Sequence, residues 1–173
     1  MGHSLGSLTA FLSAGASPQP NLRDRCQKAL DDLSLTNLSK LLQCQMVEVK
    51  MPSKKEIPNL EAIVAINSFG SLLWPSSSTA KLNIPVFLIG GTFDLITPAI
   101  SEQLGLLLAT QANPISRALL VEGASHFSPV RVEGQKDQKK GDDLFQLGEA
   151  LVGLKPISVQ SILATEIVRF LDT

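Results

Sequence analysis

Three apolar runs limit most strongly what this chain can fold into. They are residues 62–67 (AIVAIN), 84–90 (IPVFLIG) and 118–121 (ALLV). A strand with one face in water alternates apolar and polar side chains. A run without alternation therefore predicts a strand covered on both faces, as in a parallel sheet. The second run is followed by Pro98 and AISEQLGLLLAT. A proline suits the first turn of a helix, because its missing N–H has no partner to lose there. The third run leads through a polar stretch, 134–143, to two amphipathic patterns. Leu144, Leu147, Leu151 and Leu154 line the first; Val159, Ile162, Leu163, Ile167 and Phe170 line the second, with Ser158 as its N-cap. Strands alternating with helices predict the α/β class.

Helices are read from Ser4 and between Leu22 and Gln45. SLGSLTAFLSAGA predicts a helix from Ser4, with Gly6, Ser7 and Ala10 small enough to lie close to a sheet, ended by Ser17-Pro18-Gln19-Pro20. Leu22, Cys26, Leu30 and Leu33, then Leu38, Leu41 and Leu42, predict two short helices forming a lid-like insert over 21–56. Cys26 and Cys44 are the two cysteines. Their spacing suits either two buried thiols or a disulfide joining those helices, and neither has a partner at metal-ligand spacing, so no metal is expected. A disulfide would place the chain in an exporting or periplasmic setting, free thiols in the cytoplasm.

Composition removes several alternatives. At 173 residues with 44% hydrophobic and 18% charged, the chain has enough apolar material for one core. A formal net charge of −1 gives no electrostatic reason to expect nucleic acid, and Lys54-Lys55 and Lys139-Lys140 read as isolated pairs on solvated loops. No apolar run approaches the roughly 18 residues that a transmembrane segment needs.

The chemistry-bearing pattern lies across three places. Gly2-His3-Ser4-Leu5-Gly6 fits G-x-S-x-G, the nucleophile elbow, a tight turn between a strand and a helix. Asp94 follows the second apolar run in GGTFD, and His126 follows the third in EGASH. Loops at the carboxyl ends of parallel strands converge on one crevice. A serine hydroxyl needs a base to take its proton, and an acid must hold that base in one tautomer. Ser4, His126 and Asp94 supply nucleophile, base and acid, and the N–H of Leu5 one oxyanion donor. His3 is the other histidine and the alternative base; Glu122, Asp142 and Asp143 are the alternative acids.

The order Ser, Asp, His, together with GHSLGS, NLSKLLQCQ, AIVAINSFGS, IPVFLIGGTFDLITPAISEQ and LLVEGASHFSPV, resembles the carboxyl-terminal half of an α/β hydrolase. More narrowly, it is similar to the predicted dienelactone-hydrolase-like group of cyanobacteria, related to the platelet-activating-factor acetylhydrolases. The likeness runs from Gly2 to about Val130. It implies a single, truncated α/β-hydrolase domain over 1–173. It implies a serine esterase or lipase-like enzyme acting on a small or lipid-like acyl ester, without a cofactor. The alternative is a non-catalytic remnant or apolar-ligand-binding module. The likeness also implies a Cys26–Cys44 bridge, since members of the group are often exported. A serine in place of cysteine argues against dienelactone hydrolysis itself, and Ser7 stands where the family usually has glycine. In that family the elbow follows the fifth of eight strands. The expectation is then a chain with no strand before its motif, no second oxyanion loop, and an unprotected edge at AIVAIN through which copies would associate.

Overall fold

A computed structural model of the chain describes residues 1–31, 38–49, 57–75, 82–109, 113–131 and 154–173. Among them, four parallel strands lie side by side in chain order: β1 (Gly2–His3), β2 (Ile63–Ile66), β3 (Val86–Gly91) and β4 (Arg117–Val121). The helices are α1 (Leu5–Ser13), α2 (Leu22–Asp31), α3 (Leu38–Gln45), α4 (Gly105–Ala109) and α5 (Pro156–Leu171). A π-helical turn, Ile100–Leu104, leads directly into α4.

Both faces of the sheet are covered, which explains the unbroken apolar runs. Ile63, Ala65, Val86 and Leu88 belong to one core with Leu8, Phe11 and Trp74. Val64, Ile66, Phe87 and Ile89 belong to the other, with Val159, Leu163 and Phe170 of α5. Each of the valine, leucine, isoleucine and phenylalanine side chains contributes about 1.5–3 kcal/mol by leaving water. The α/β class is thus the observed one. Among the described residues strand β4 is an edge, and Leu120 on it is partly exposed.

Three expectations need correcting. The motif does have a strand before its serine: Gly2 and His3 pair with Ala65 and Ile66, so AIVAIN is an inner strand along its carboxyl half. The last helix starts at Pro156 with Lys155 as N-cap, which puts Ser158 inside the first turn. Proline fixes its own φ and forgoes a donor, so it sets the start before Ser158 can cap it. Gly6 is not the glycine that close packing requires. A Cβ there would meet nothing within 4 Å, whereas one at Gly2 would lie 2.2 Å from the Gly6 carbonyl oxygen. The stretch 134–143, Leu144, Leu147, Leu151 and both lysine pairs lie outside the described residues.

Helices α2 and α3 are joined by a Cys26–Cys44 disulfide with a Cα–Cα distance of 5.4 Å. The packing of α3 is the reverse of the leucine pattern. Leu38, Leu41 and Leu42 are 45%, 36% and 40% exposed, while Ser39 and Gln43 are fully buried. The reason is a carboxylate. Glu102, buried on the π-helical turn, accepts from Ser39 Oγ at 2.6 Å, Ser71 Oγ at 2.9 Å, and the N–H groups of Gly70 and Ser71 at 3.0 and 3.1 Å. Gln43 in turn accepts from the N–H of Leu72 at 2.8 Å. A buried polar group costs more unpaired than an exposed leucine does, so α3 turns its polar side inward. Arg25 of α2 adds a bond to the Leu72 carbonyl at 2.7 Å.

Closing an 18-residue separation by a disulfide is worth about 3 kcal/mol in the loop-entropy description. Reduction is therefore expected to lower the thermal midpoint of the chain. Under non-reducing conditions its mass should fall about 2 Da below that of the dithiol form. Two alkylatable thiols in the native chain would contradict the bridge.

Candidate active site

The site is assembled at the carboxyl ends of the four strands. Ser4 follows β1, Asn67 follows β2, Asp94 follows β3 and His126 follows β4. Ser4 is half-buried at φ 52 and ψ −120, a backbone conformation that non-glycine residues rarely adopt. It is held there from both sides: its N–H donates to the Ile66 carbonyl at 2.9 Å and its carbonyl accepts from Ser7 N–H at 2.9 Å. Ser7 also explains why a hydroxyl is useful at its position. It is buried, and its Oγ lies 2.7 Å from the Gly2 carbonyl and 3.1 Å from that of Ile66, linking the turn to two strands. The N–H groups of Leu5 and Gly6 find no acceptor among the described residues, as expected for the first turn of a helix.

Asp94 and His126 meet as their places after the strands suggested. His126 Nδ1 lies 2.8 Å from Asp94 Oδ2, with both residues buried. The other carboxylate oxygen accepts the N–H groups of Ile96 and Thr97 at 2.9 and 2.7 Å. Thr97 Oγ1 donates to Asp94 Oδ2 at 2.6 Å. An acceptor-only carboxylate places the proton on Nδ1, which leaves His126 Nε2 as the basic nitrogen. Among the described residues neither Nε2 nor Ser4 Oγ takes part in a hydrogen bond.

The alternative assignments lose their geometric support. His3 uses Nε2 on the His126 carbonyl oxygen at 2.7 Å, and its pKa lies below 6.5 because burial disfavours the charged ring. Glu122 is exposed and makes no bond to His126. Asp142 and Asp143 lie outside the described residues. Two residues that carry no motif prove central. Asn67, at φ 46, donates its side-chain amide to the His126 carbonyl at 2.8 Å. Thr97 touches Asp94, Asn67 and His126 together, its Oγ1 lying 3.2 Å from both the Asn67 carbonyl and His126 Nδ1. An asparagine directly after a buried strand was the available signal for the first, since asparagine tolerates positive φ.

No group of three or more metal-ligating side chains occurs among the described residues, and no helix among them is long and apolar enough to cross a membrane. A cleft of about 410 Å³ lined by Asn59, Pro85, Ile115 and Phe170 opens beside the starts of the strands, the opposite end of the sheet from Ser4. The fold and site together describe a parallel α/β protein with a buried His–Asp pair and a serine in a strained strand-to-helix turn. No family model, no curated protein and no solved structure matches the chain.

Proposed function

We propose that the chain is a serine hydrolase of the α/β-hydrolase type that cleaves carboxylic esters through an acyl-enzyme. The observation that carries this reading is Ser4 at positive φ, between a parallel strand and a helix, beside the strand ends that bear the 2.8 Å His126–Asp94 pair. Backbone strain of this kind costs of order 1–3 kcal/mol, and the Ser7 and Ile66 bonds hold it in place. In this reading His126 Nε2 takes the Ser4 proton as Oγ attacks the ester carbonyl carbon. The free N–H of Leu5 faces the developing oxyanion. His126 then protonates the departing alkoxide, and water repeats the sequence to release the acid. The Cys26–Cys44 bridge supports an exported or periplasmic setting.

A fluorophosphonate probe is expected to add one label per chain, lost in Ser4→Ala. A label retained in that variant overturns the assignment. A second reading, an apolar-ligand-binding module without turnover, is favoured by the absent Ser4–His126 bond and by exposed Leu5, Phe93 and Leu95 flanking Ser4 and Asp94. It requires p-nitrophenyl esters of every chain length to show no turnover above the Ser4→Ala background.

A further inference from the structure

We propose that His3 and Asn67 are positioning residues for His126, a clamp of two donors closed on its carbonyl oxygen. The inference rests on the reading of His126 as the general base. The donors converge on one atom: His3 Nε2 at 2.7 Å and Asn67 Nδ2 at 2.8 Å, with a further Asn67 bond to the Ser125 carbonyl at 3.3 Å. A carbonyl oxygen has two lone pairs, so this one is filled.

The value of the clamp lies in where the donors stand. His126 belongs to the loop after β4, an edge strand, and its ring is tied to the loop after β3 through Asp94. Those bonds restrain the ring, and Phe93 N–H on the Ala124 carbonyl at 3.1 Å and Gly123 N–H on Thr92 Oγ1 at 2.9 Å tie the main chain of the loop to β3, but none of them reaches the half of the sheet that carries Ser4. His3 on β1 and Asn67 at the end of β2 fix that main chain to the other half of the sheet, the half that carries Ser4. The clamp therefore sets the base relative to the nucleophile, a distance that Asp94 cannot control. Both donors are themselves anchored to the sheet. Asn67 is held by its N–H, which donates to the Ile89 carbonyl at 2.7 Å. His3 sits in the strand immediately before Ser4, its ring centroid 4.9 Å from that of His126.

The charge state of His3 fits the task. Its partner is a carbonyl, so Nε2 carries the proton, and burial keeps the ring neutral below its ordinary pKa of 6.5. The ionisable groups acting on it are His126, which opposes its charging, and Asp94, which favours it. A neutral donor holds the loop without adding a positive charge beside the imidazolium that His126 becomes. Because the folded pKa is depressed, the unfolded chain binds the proton more readily. Stability is then full above about pH 6.5 and falls as pH drops through the folded value.

The chain has only these two histidines, so ring-labelled histidine gives an NMR spectrum with two imidazoles, assigned by His3→Gln. In the native chain the His126 Nδ1–H is expected as a slowly exchanging, far-downfield proton. His3→Ala and Asn67→Gly, the latter chosen because glycine accepts the positive φ, should each speed its exchange. His3→Gln, which retains an amide donor, should restore it. For ester turnover, kcat should fall on the order of 10- to 100-fold with KM little changed in the two donor-less variants, and recover in His3→Gln. An unchanged Nδ1–H and unchanged kcat in His3→Ala would overturn the clamp, whatever becomes of Asn67→Gly. Should the native chain show no label at Ser4, the hydrolase reading fails, and the proton exchange still decides the clamp.

Discussion

Asp94→Asn is expected to lower kcat for ester hydrolysis by about 10⁴-fold while leaving KM near its original value. The substitution conserves size, and the side-chain oxygen that replaces Oδ1 can still accept from the N–H groups of Ile96 and Thr97. What changes is the proton. Asp94 accepts from His126 Nδ1 and so keeps Nε2 free to act as a base. An asparagine amide turned toward the ring donates instead, which moves the proton to Nε2 and blocks the nitrogen that must receive the Ser4 proton. The amide turned the other way would place its N–H groups against the donors of Ile96 and Thr97, an arrangement without acceptors. Steady-state kinetics on a p-nitrophenyl ester, with circular dichroism to confirm the fold, check the outcome. A variant within tenfold of the native rate would remove Asp94 from the mechanism.

Glu102→Ala should destabilise the chain by about 3–5 kcal/mol, a fall in thermal midpoint on the order of 10 °C. The carboxylate accepts from two hydroxyls, two backbone N–H groups and, at 3.5 Å, the Gln43 amide, and its loss leaves these donors without it. Glu102→Gln should also destabilise, because its amide nitrogen meets donors. Ile100→Ala, on the same turn but 77% exposed, should stay within about 0.5 kcal/mol of the native chain. Urea denaturation of the three variants is the measurement. A Glu102→Ala midpoint equal to that of Ile100→Ala would show that the insert is held by something else.

These expectations depend unequally on what could be read in advance. The parallel sheet was legible because side chains on β2 and β3 are buried on both faces, and that burial writes an unbroken apolar run into the sequence. Asp94 and His126 were legible as residues following such runs, and the two lie 2.8 Å apart. Strand β1 was not, because two residues show no periodicity at all. The orientation of α3 was not legible for a different reason. Leucine spacing marks one side of a helix, but which side faces inward was decided by Glu102, 63 residues away in the sequence, through Ser39. Asn67 and Thr97 were missed on the same grounds: each acts through partners brought near only by the sheet.

The four strands lie in chain order, yet each contributes one corner of the site. The His3–His126 bond spans 123 residues, that of Asn67 59, and that of Asp94 32. No corner can be prepared locally and kept waiting. Contacts so distant in sequence form late and close large loops, which makes folding slow compared with a helical bundle of this size. It also makes the His126–Asp94 pair a reporter of the finished sheet. Its downfield proton should emerge during refolding only when β3 and β4 have docked, well after helical signal has recovered.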